Sequence, residues 1–386
     1  MRIASIPFPA APRATVLSLL LCAPIMLLLA GCGGSDSAAS DSSSGGGNSS
    51  SSSSSGSSSG ASSSSSSGAG SSSGSASSCT AYGDPPRPVV ASSPDGTLND
   101  LLNAALNICN ASNGETLTWT DANGTPRTAC MIAPANATAQ TPLPMIVWLH
   151  PTLIAQDSIT ATDLIPLTST ANVSGSTAKP GFILLLPTGR DIEQFLPAPL
   201  NTGIGWDHWY RNLDRSSSAL NADVAAIDHF IGVVEQRNIV DTSRVFMSGW
   251  SEGADMATLY GLNTPGIAAT APYSTTSPFD DPADPCPQAA FATNNTRPYY
   301  LMVRECDVGG ACQGAQTFLG QLRDGVLAPA LVQGVILNSL TQSVDACNAA
   351  CAAGQPDAST FGQYEHTHWP TQWNDEIMTF LSSYAQ

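Results

Sequence analysis

Gly249-Trp250-Ser251-Glu252-Gly253 decides the reading of this chain, because of what stands on either side of it. Before it, Arg244-Val245-Phe246-Met247-Ser248 is a short apolar strand entered from the polar turn Asp241-Thr242-Ser243. After it, Ala254 to Tyr260 reads as a helix that stops at Gly261. Strand, G-x-S-x-G and helix in that order form the setting in which a serine hydroxyl is raised on a sharp elbow and becomes a nucleophile. The following helix aims its N-terminal N–H groups at the charge that develops during acyl transfer. Gly56-Ser57-Ser58-Ser59-Gly60 and Gly70-Ser71-Ser72-Ser73-Gly74 match the bare pattern too, but no strand precedes them, so they are accidents of composition.

Working outward, the N-terminus reads as an export leader: Arg2 and Arg13 precede an apolar run from Val16 to Ala30. At about 15 residues that run is short for a membrane span. Its end, Leu29-Ala30-Gly31-Cys32, resembles a bacterial lipobox, in which cleavage leaves the cysteine as an acylated N-terminus. Gly33 rather than Asp follows Cys32, which by resemblance to sorted lipoproteins implies the outer membrane, on its periplasmic or cell-surface side. Residues 1–31 are thus expected to be a lipoprotein signal peptide. Residues 32–78, almost only Ser and Gly, are expected to be a disordered tether with an r.m.s. reach of roughly 40 Å. Residues 79–386 remain for one catalytic domain with a substantial core.

The net charge of −17 makes nucleic acid and anionic lipid poor partners for the protein surface, leaving the N-terminal lipid as the expected membrane contact. Ten cysteines less Cys22 and Cys32 leave eight, an even number that favours disulfides in an exported chain. Cys347–Cys351 and Cys306–Cys312 are the expected local bridges, among about a hundred possible pairings. No C-x-x-C pair occurs and His366 and His368 have no cysteine close by, so no metal site is expected. Nothing in the chain calls for a cofactor, and nothing indicates an oligomeric state.

Leu117–Thr120 and Arg127–Ile132 flank Asn123-Gly124, a strong hairpin signal. Pro144–Leu149 and Phe182–Leu186 are continuous apolar runs, as strands buried on both faces require. Leu220–Arg237 reads as a helix with Val224, Ile227, Ile231 and Val234 on one face. Further strands are expected at Ile267–Tyr273, Tyr299–Val303 and Phe361–Tyr364, and helices over Ala315–Asp324 and Thr371–Tyr384. Strands alternating with helices imply an α/β domain, with a mostly parallel sheet covered on both faces.

With the order Ser, later acid, last His, the chain resembles the α/β-hydrolases, and more narrowly the polyhydroxybutyrate depolymerase and feruloyl esterase group of secreted esterases. The resemblance is carried by Trp148-Leu149-His150, by the stretch from Asp241 to Gly253, and by Trp369-Pro370. The chain departs from the group at His150-Pro151-Thr152, where His-Gly-Cys is usual, and at Glu252, where a small residue is usual. The resemblance implies a serine ester hydrolase acting through an acyl-enzyme on a polyester or on esters of extracellular polymers. A serine peptidase of the same fold and a non-catalytic surface binding module are the alternatives.

A serine hydroxyl needs a base to take its proton, and in this fold a histidine after the last strand does so, oriented by a carboxylate after the preceding strand. His366 is the preferred base and His368 the alternative. Asp307 is the preferred acid, placed where the family has its aspartate, with Glu305 the alternative. The oxyanion hole is expected to use the N–H of Glu252 and, from the alignment with the family cysteine, that of Thr152, since Pro151 has no N–H. The Glu252 carboxylate must then point away from the oxyanion or be neutralised. His150 reads as structural, bonded to backbone, and His208 and His229 as packing or surface residues. Trp206 and Trp209, in the aromatic loop Gly205 to Tyr210, either hold a hydrophobic substrate or pack that loop onto the sheet. Cys32→Ser is expected to yield an unacylated protein, uncleaved or released in soluble form. Mass analysis of the mature N-terminus checks this: a lipid-free start elsewhere in the native protein would remove the tether.

Overall fold

Leu143–Leu149 is buried along its whole length, which only a central strand with layers on both faces allows. The computed structural model describes residues 108–193, 202–208, 222–278, 297–326, 328–352 and 364–386. The leader, Cys32, the Ser/Gly tether, Cys79, Cys286, Trp209 and the stretch from Phe361 to Gln363 lie outside the described residues. The strands are β1 Glu115–Thr120, β2 Pro126–Ile132, β3 Leu143–Leu149, β4 Ile183–Pro187, β5 Arg190–Glu193, β6 Thr202–Gly205, β7 Val240–Trp250, β8 Ala269–Tyr273, β9 Tyr299–Arg304, β10 Val332–Leu337 and β11 Ser343–Val344. The longer helices are α1 Ala222–Glu235, α2 Glu252–Asn263, α3 Ala311–Gln321 and α4 Asn374–Ser382.

Nine strands form one sheet in the order β1-β2-β4-β3-β7-β8-β9-β10-β11, and β5 and β6 make a separate antiparallel ribbon. From β4 to β10 every pairing is parallel; the β1–β2 hairpin and β11 add antiparallel edges. Side chains alternate across β3: Met145, Val147 and Leu149 join one core with Ile227 and Phe230 of α1, Met256 and Leu259 of α2, and Phe318 of α3. Ile146 and Trp148 join the other, with Ile377, Phe380 and Leu381 of α4. This order, with a strand–elbow–helix unit at its centre, is the α/β-hydrolase fold.

The structure corrects several local expectations. Asp241-Thr242-Ser243 is not a turn before the strand but part of β7, in an irregularity where the pairing jumps from Leu143↔Val240 to Met145↔Val245. Pro144 stands opposite this stretch and has no N–H to continue the ladder. The Asp241 carboxylate caps the stretch itself, accepting from the Ser243 N–H at 3.1 Å and hydroxyl at 2.7 Å. β10 and β11 close the sheet where a strand at Phe361–Tyr364 was expected; Tyr364, the described part of that stretch, is helical. Neither local disulfide forms. Cys306 pairs with Cys351 and Cys312 with Cys347, while Cys109 bonds Cys130. Helical turns at Val308–Gly310 and Ala349–Ala352 take up the short spacers, so the 347–351 segment is stapled across the loop after β9 instead.

Helix α2 does not stop at Gly261 but runs through it to Asn263. The glycine is there for space: a Cβ would overlap the Thr270 hydroxyl on β8. Gly261→Ala should therefore destabilise the fold by about 1–3 kcal/mol through overpacking. Adding Thr270→Ala, which removes a buried hydroxyl without a hydrogen-bond partner, should recover most of that loss. Thermal unfolding of the single and double variants checks the coupling.

Candidate active site

Three close approaches build the elbow. A Cβ on Gly249 would overlap the Gly253 carbonyl, and one on Gly253 would overlap the carbonyl oxygens of Leu149 and His150. The start of α2 can therefore lie directly against the ends of β3 and β7. Between them Ser251 takes φ 56° and ψ −128°, a conformation that costs a non-glycine residue on the order of 1–3 kcal/mol. Its own N–H is anchored on the Tyr273 carbonyl at 3.1 Å. Its side chain is left at the top of the sheet.

There the Ser251 hydroxyl meets His366 Nε2 at 2.8 Å, and His366 Nδ1 meets Asp307 Oδ1 at 2.7 Å. The imidazole is 23% exposed while the Asp307 side chain is fully enclosed, so a substrate can reach one end of the chain of contacts and not the other. Asp307 sits just past β9, and its Oδ1 also accepts from the Val308 N–H at 2.8 Å. Glu305, the other acid considered, is two residues earlier, where its N–H belongs to the Leu337 carbonyl of β10. Burial alone would lower the His366 pKa, but the Asp307 carboxylate, its bond to the ring and the charge of Asp255 leave it above the ordinary 6.5.

His368 is committed elsewhere. Its Nδ1 faces the Tyr364 carbonyl at 2.7 Å and its ring stacks on Tyr364, with centroids 3.8 Å apart. Its carbonyl is gripped by Arg304 Nη2 at 3.2 Å.

The segment bearing His366 is fixed through main-chain carbonyls. Trp250 Nε1 donates to the His366 carbonyl at 2.8 Å, and the Tyr273 hydroxyl lies 2.6 Å from the Glu365 carbonyl. Arg304 reaches both the His368 and Asn338 carbonyls. These donors end β7, β8 and β9, three neighbouring parallel strands. Sequence reasoning missed a fourth group at the site, Ser274, directly after β8. Its hydroxyl donates to Asp307 Oδ2 at 2.6 Å and lies 2.8 Å from His366 Nδ1. The only sequence signal was its position, one residue past a strand end of the central sheet.

Thr152 and Glu252, the expected oxyanion residues, are adjacent. The Thr152 hydroxyl donates to Glu252 Oε2 at 2.7 Å, so the carboxylate is turned onto Thr152. The N–H of Glu252 belongs to the first turn of α2, where backbone donors lack intrahelical acceptors. His150 is structural: Nδ1 contacts the Pro151 carbonyl at 2.8 Å and Nε2 accepts from the Gly189 N–H at 2.9 Å. Burial pushes its pKa down to about 4, so it stays neutral. His208 is buried, and His229 stacks on Trp119 with centroids 4.5 Å apart. Trp206 is not a substrate platform. It follows directly after β6, is fully buried against His150, and its Nε1 donates to the His150 carbonyl at 2.9 Å.

No family model and no curated protein matches the chain. Among solved structures it is similar to a thermostable esterase, 15% identical over 71% of this chain and 63% of that one, with a TM-score of 0.43. It is also similar to a Pyrobaculum calidifontis esterase, 15% identical over 74% and 92% of the two chains, TM-score 0.41. A third likeness is to Porphyromonas gingivalis dipeptidyl peptidase 4, 12% identical over 59% and 32%, TM-score 0.34.

Behind the site Glu365 is fully buried, with Oε2 accepting from the Cys306 N–H at 2.7 Å and Oε1 without a partner. Burial pushes its pKa up from 4.5 to about 7, against the pull of that N–H and of Arg304. The folded state thus binds this proton more tightly than the unfolded chain. Its contribution is complete below about pH 4.5 and is lost as pH rises through about 7. Glu365→Gln keeps the acceptor for Cys306 but cannot ionise. Its thermal stability relative to the native chain is expected to rise between about pH 5 and pH 8; a constant difference would show that the native carboxyl does not titrate there.

Proposed function

We propose that the chain is a serine ester hydrolase working through an acyl-enzyme, with Ser251 as nucleophile, His366 as base and Asp307 as acid. The observation that carries this reading is the continuous set of contacts from the Ser251 hydroxyl through both ring nitrogens of His366 to a buried carboxylate. Ser251 attacks the ester carbonyl while its proton passes to His366 Nε2. Asp307 holds the Nδ1 proton and stabilises the imidazolium. The N–H groups of Glu252 and Thr152 receive the oxyanion. As the tetrahedral intermediate collapses, the C–O bond breaks and His366 protonates the leaving alcohol. Water, deprotonated by the same nitrogen, then attacks the acyl carbonyl; the acid product leaves and Ser251 regains its proton.

The resemblance of the elbow and of the His150 segment to depolymerase and feruloyl esterase sequences supports a polyester, or esters carried by extracellular polymers, as the substrate class. In this reading Cys32 carries a lipid, and the Ser/Gly segment holds the domain away from the outer membrane within reach of an insoluble substrate.

A fluorophosphonate probe is expected to label Ser251 one-to-one, and Ser251→Ala to abolish both labelling and ester hydrolysis. His366→Ala should lower kcat by roughly 10³-fold or more. His368→Ala should keep turnover within about tenfold, since the ring faces Tyr364. The acid limb of kcat/KM is expected above pH 6.5, because the base must be neutral and its pKa is raised. Faster turnover of amides than of matched esters would favour a peptidase, and an unlabelled native protein would leave a binding module.

A further inference from the structure

Ser274 is in the wrong conformation for a serine unless the side chain is needed. Its φ is 60°, a left-handed value that glycine adopts without penalty and other residues seldom take. It is almost fully buried, and its N–H is tied to the Met302 carbonyl of β9 at 2.9 Å, so the backbone shape is imposed by the sheet. Glycine would satisfy that shape at lower cost. The chain instead keeps a residue whose only extra atom beyond Cβ is a hydroxyl oxygen, and that oxygen touches both Asp307 and His366.

We infer that Ser274 is a positioning residue for the nucleophile-activating pair, acting on Ser251 through Asp307 and His366. This rests on the hydrolase reading above. The Asp307 carboxylate has two oxygens and must present one of them, in plane, to His366 Nδ1. Oδ1 is held by the Val308 N–H and accepts the hydrogen bond from Nδ1–H. Without a donor on Oδ2 the carboxylate could rotate about its Cβ–Cγ bond; the Ser274 hydroxyl, at 2.6 Å, removes that freedom. The same oxygen stands 2.8 Å from Nδ1, so its lone pair gives the Nδ1 proton a second acceptor when the ring becomes cationic. Both effects grow as charge develops on the imidazole. They therefore act on the transition state more than on substrate binding.

The test compares Ser274→Gly and Ser274→Ala with the native protein on a soluble aryl ester, alongside fluorophosphonate labelling and thermal unfolding. Loss of one hydrogen bond to a charged group should lower kcat by about 10- to 100-fold, with KM within about threefold, in both variants. Ser274→Gly should unfold at a higher temperature than Ser274→Ala, because both lose the hydroxyl but only glycine relieves the left-handed strain. Labelling should still reach one probe per chain at Ser251, but more slowly. In an Asp307→Asn background, Ser274→Gly should cost less than it does alone, since the carboxylate it orients is gone while its contact with His366 Nδ1 remains to be lost. Native-like kcat in Ser274→Gly, or a full additional loss in the Asp307→Asn background, would overturn the positioning role while leaving the hydrolase reading intact. A native protein that neither labels nor hydrolyses esters would overturn both.

Discussion

The close approach of α2 to the carboxyl ends of β3 and β7 is the constraint on which the rest of the site depends. It exists because positions 249 and 253 carry no Cβ to strike the Gly253, Leu149 and His150 carbonyls. The same approach sets Glu252 beside Thr152, so that the two backbone donors assigned to the oxyanion come from different elements yet are joined by a side-chain hydrogen bond. The Glu252 carboxylate is accommodated there because Thr152 offers it a hydroxyl.

A second constraint acts on His366. Histidine after a terminal strand would inherit its place from the sheet ladder, but His366 lies in a helical turn outside the sheet. Its position comes from donors at the ends of β7, β8 and β9 that grip main-chain carbonyls, as the Trp250 and Tyr273 contacts show. Carbonyl anchoring leaves the imidazole free to face Ser251 and Asp307. The Glu365 side chain ties the same segment to Cys306, and the Cys306–Cys351 bridge closes the loop that carries Asp307. Asp307 and His366 are thus held to each other as well as to the sheet.

These two constraints divide what could be read in the sequence from what could not. Local order is written in local pattern: the apolar run of β3, the Asn123-Gly124 hairpin and the strand before Ser251 each carry their own signal. Ser251 and Asp307 could be named because each stands just past a strand, and His366 from its place late in the chain, although the strand expected before it is helical at Tyr364. Contacts between distant segments left no such trace. Ser274 shares no motif with Asp307 or His366 and acquires its neighbours only when β8 and β9 pair. The disulfides followed space rather than spacing, because helical turns occupied the short intervals. β10 was obscured by Gln333 and Gly334, where the glycine makes room for Leu319 of α3. Trp206 could be read either as a platform or as packing until the ribbon that buries it was seen.

That ribbon returns the argument to the elbow. Arg127 and Arg190 are buried against Asp121, Asp207 and Asp223, with Asp223 contacting both guanidinium groups and also accepting the Asp207 N–H at 2.7 Å. Buried ion clusters contribute little net stability compared with apolar packing, yet removing one member leaves an unpaired charge and is strongly destabilising. Their value here is placement. Arg127 belongs to β2, Arg190 to β5 and Asp223 to α1, so the cluster ties the ribbon to the sheet and to α1, and Trp206, directly after β6, lies against His150. Trp206 Nε1 then holds the His150 carbonyl, the same oxygen against which Gly253 must pass. The ion cluster, through the ribbon and Trp206, and Gly253 therefore bear on the same carbonyl, next to the helix start that carries Ser251.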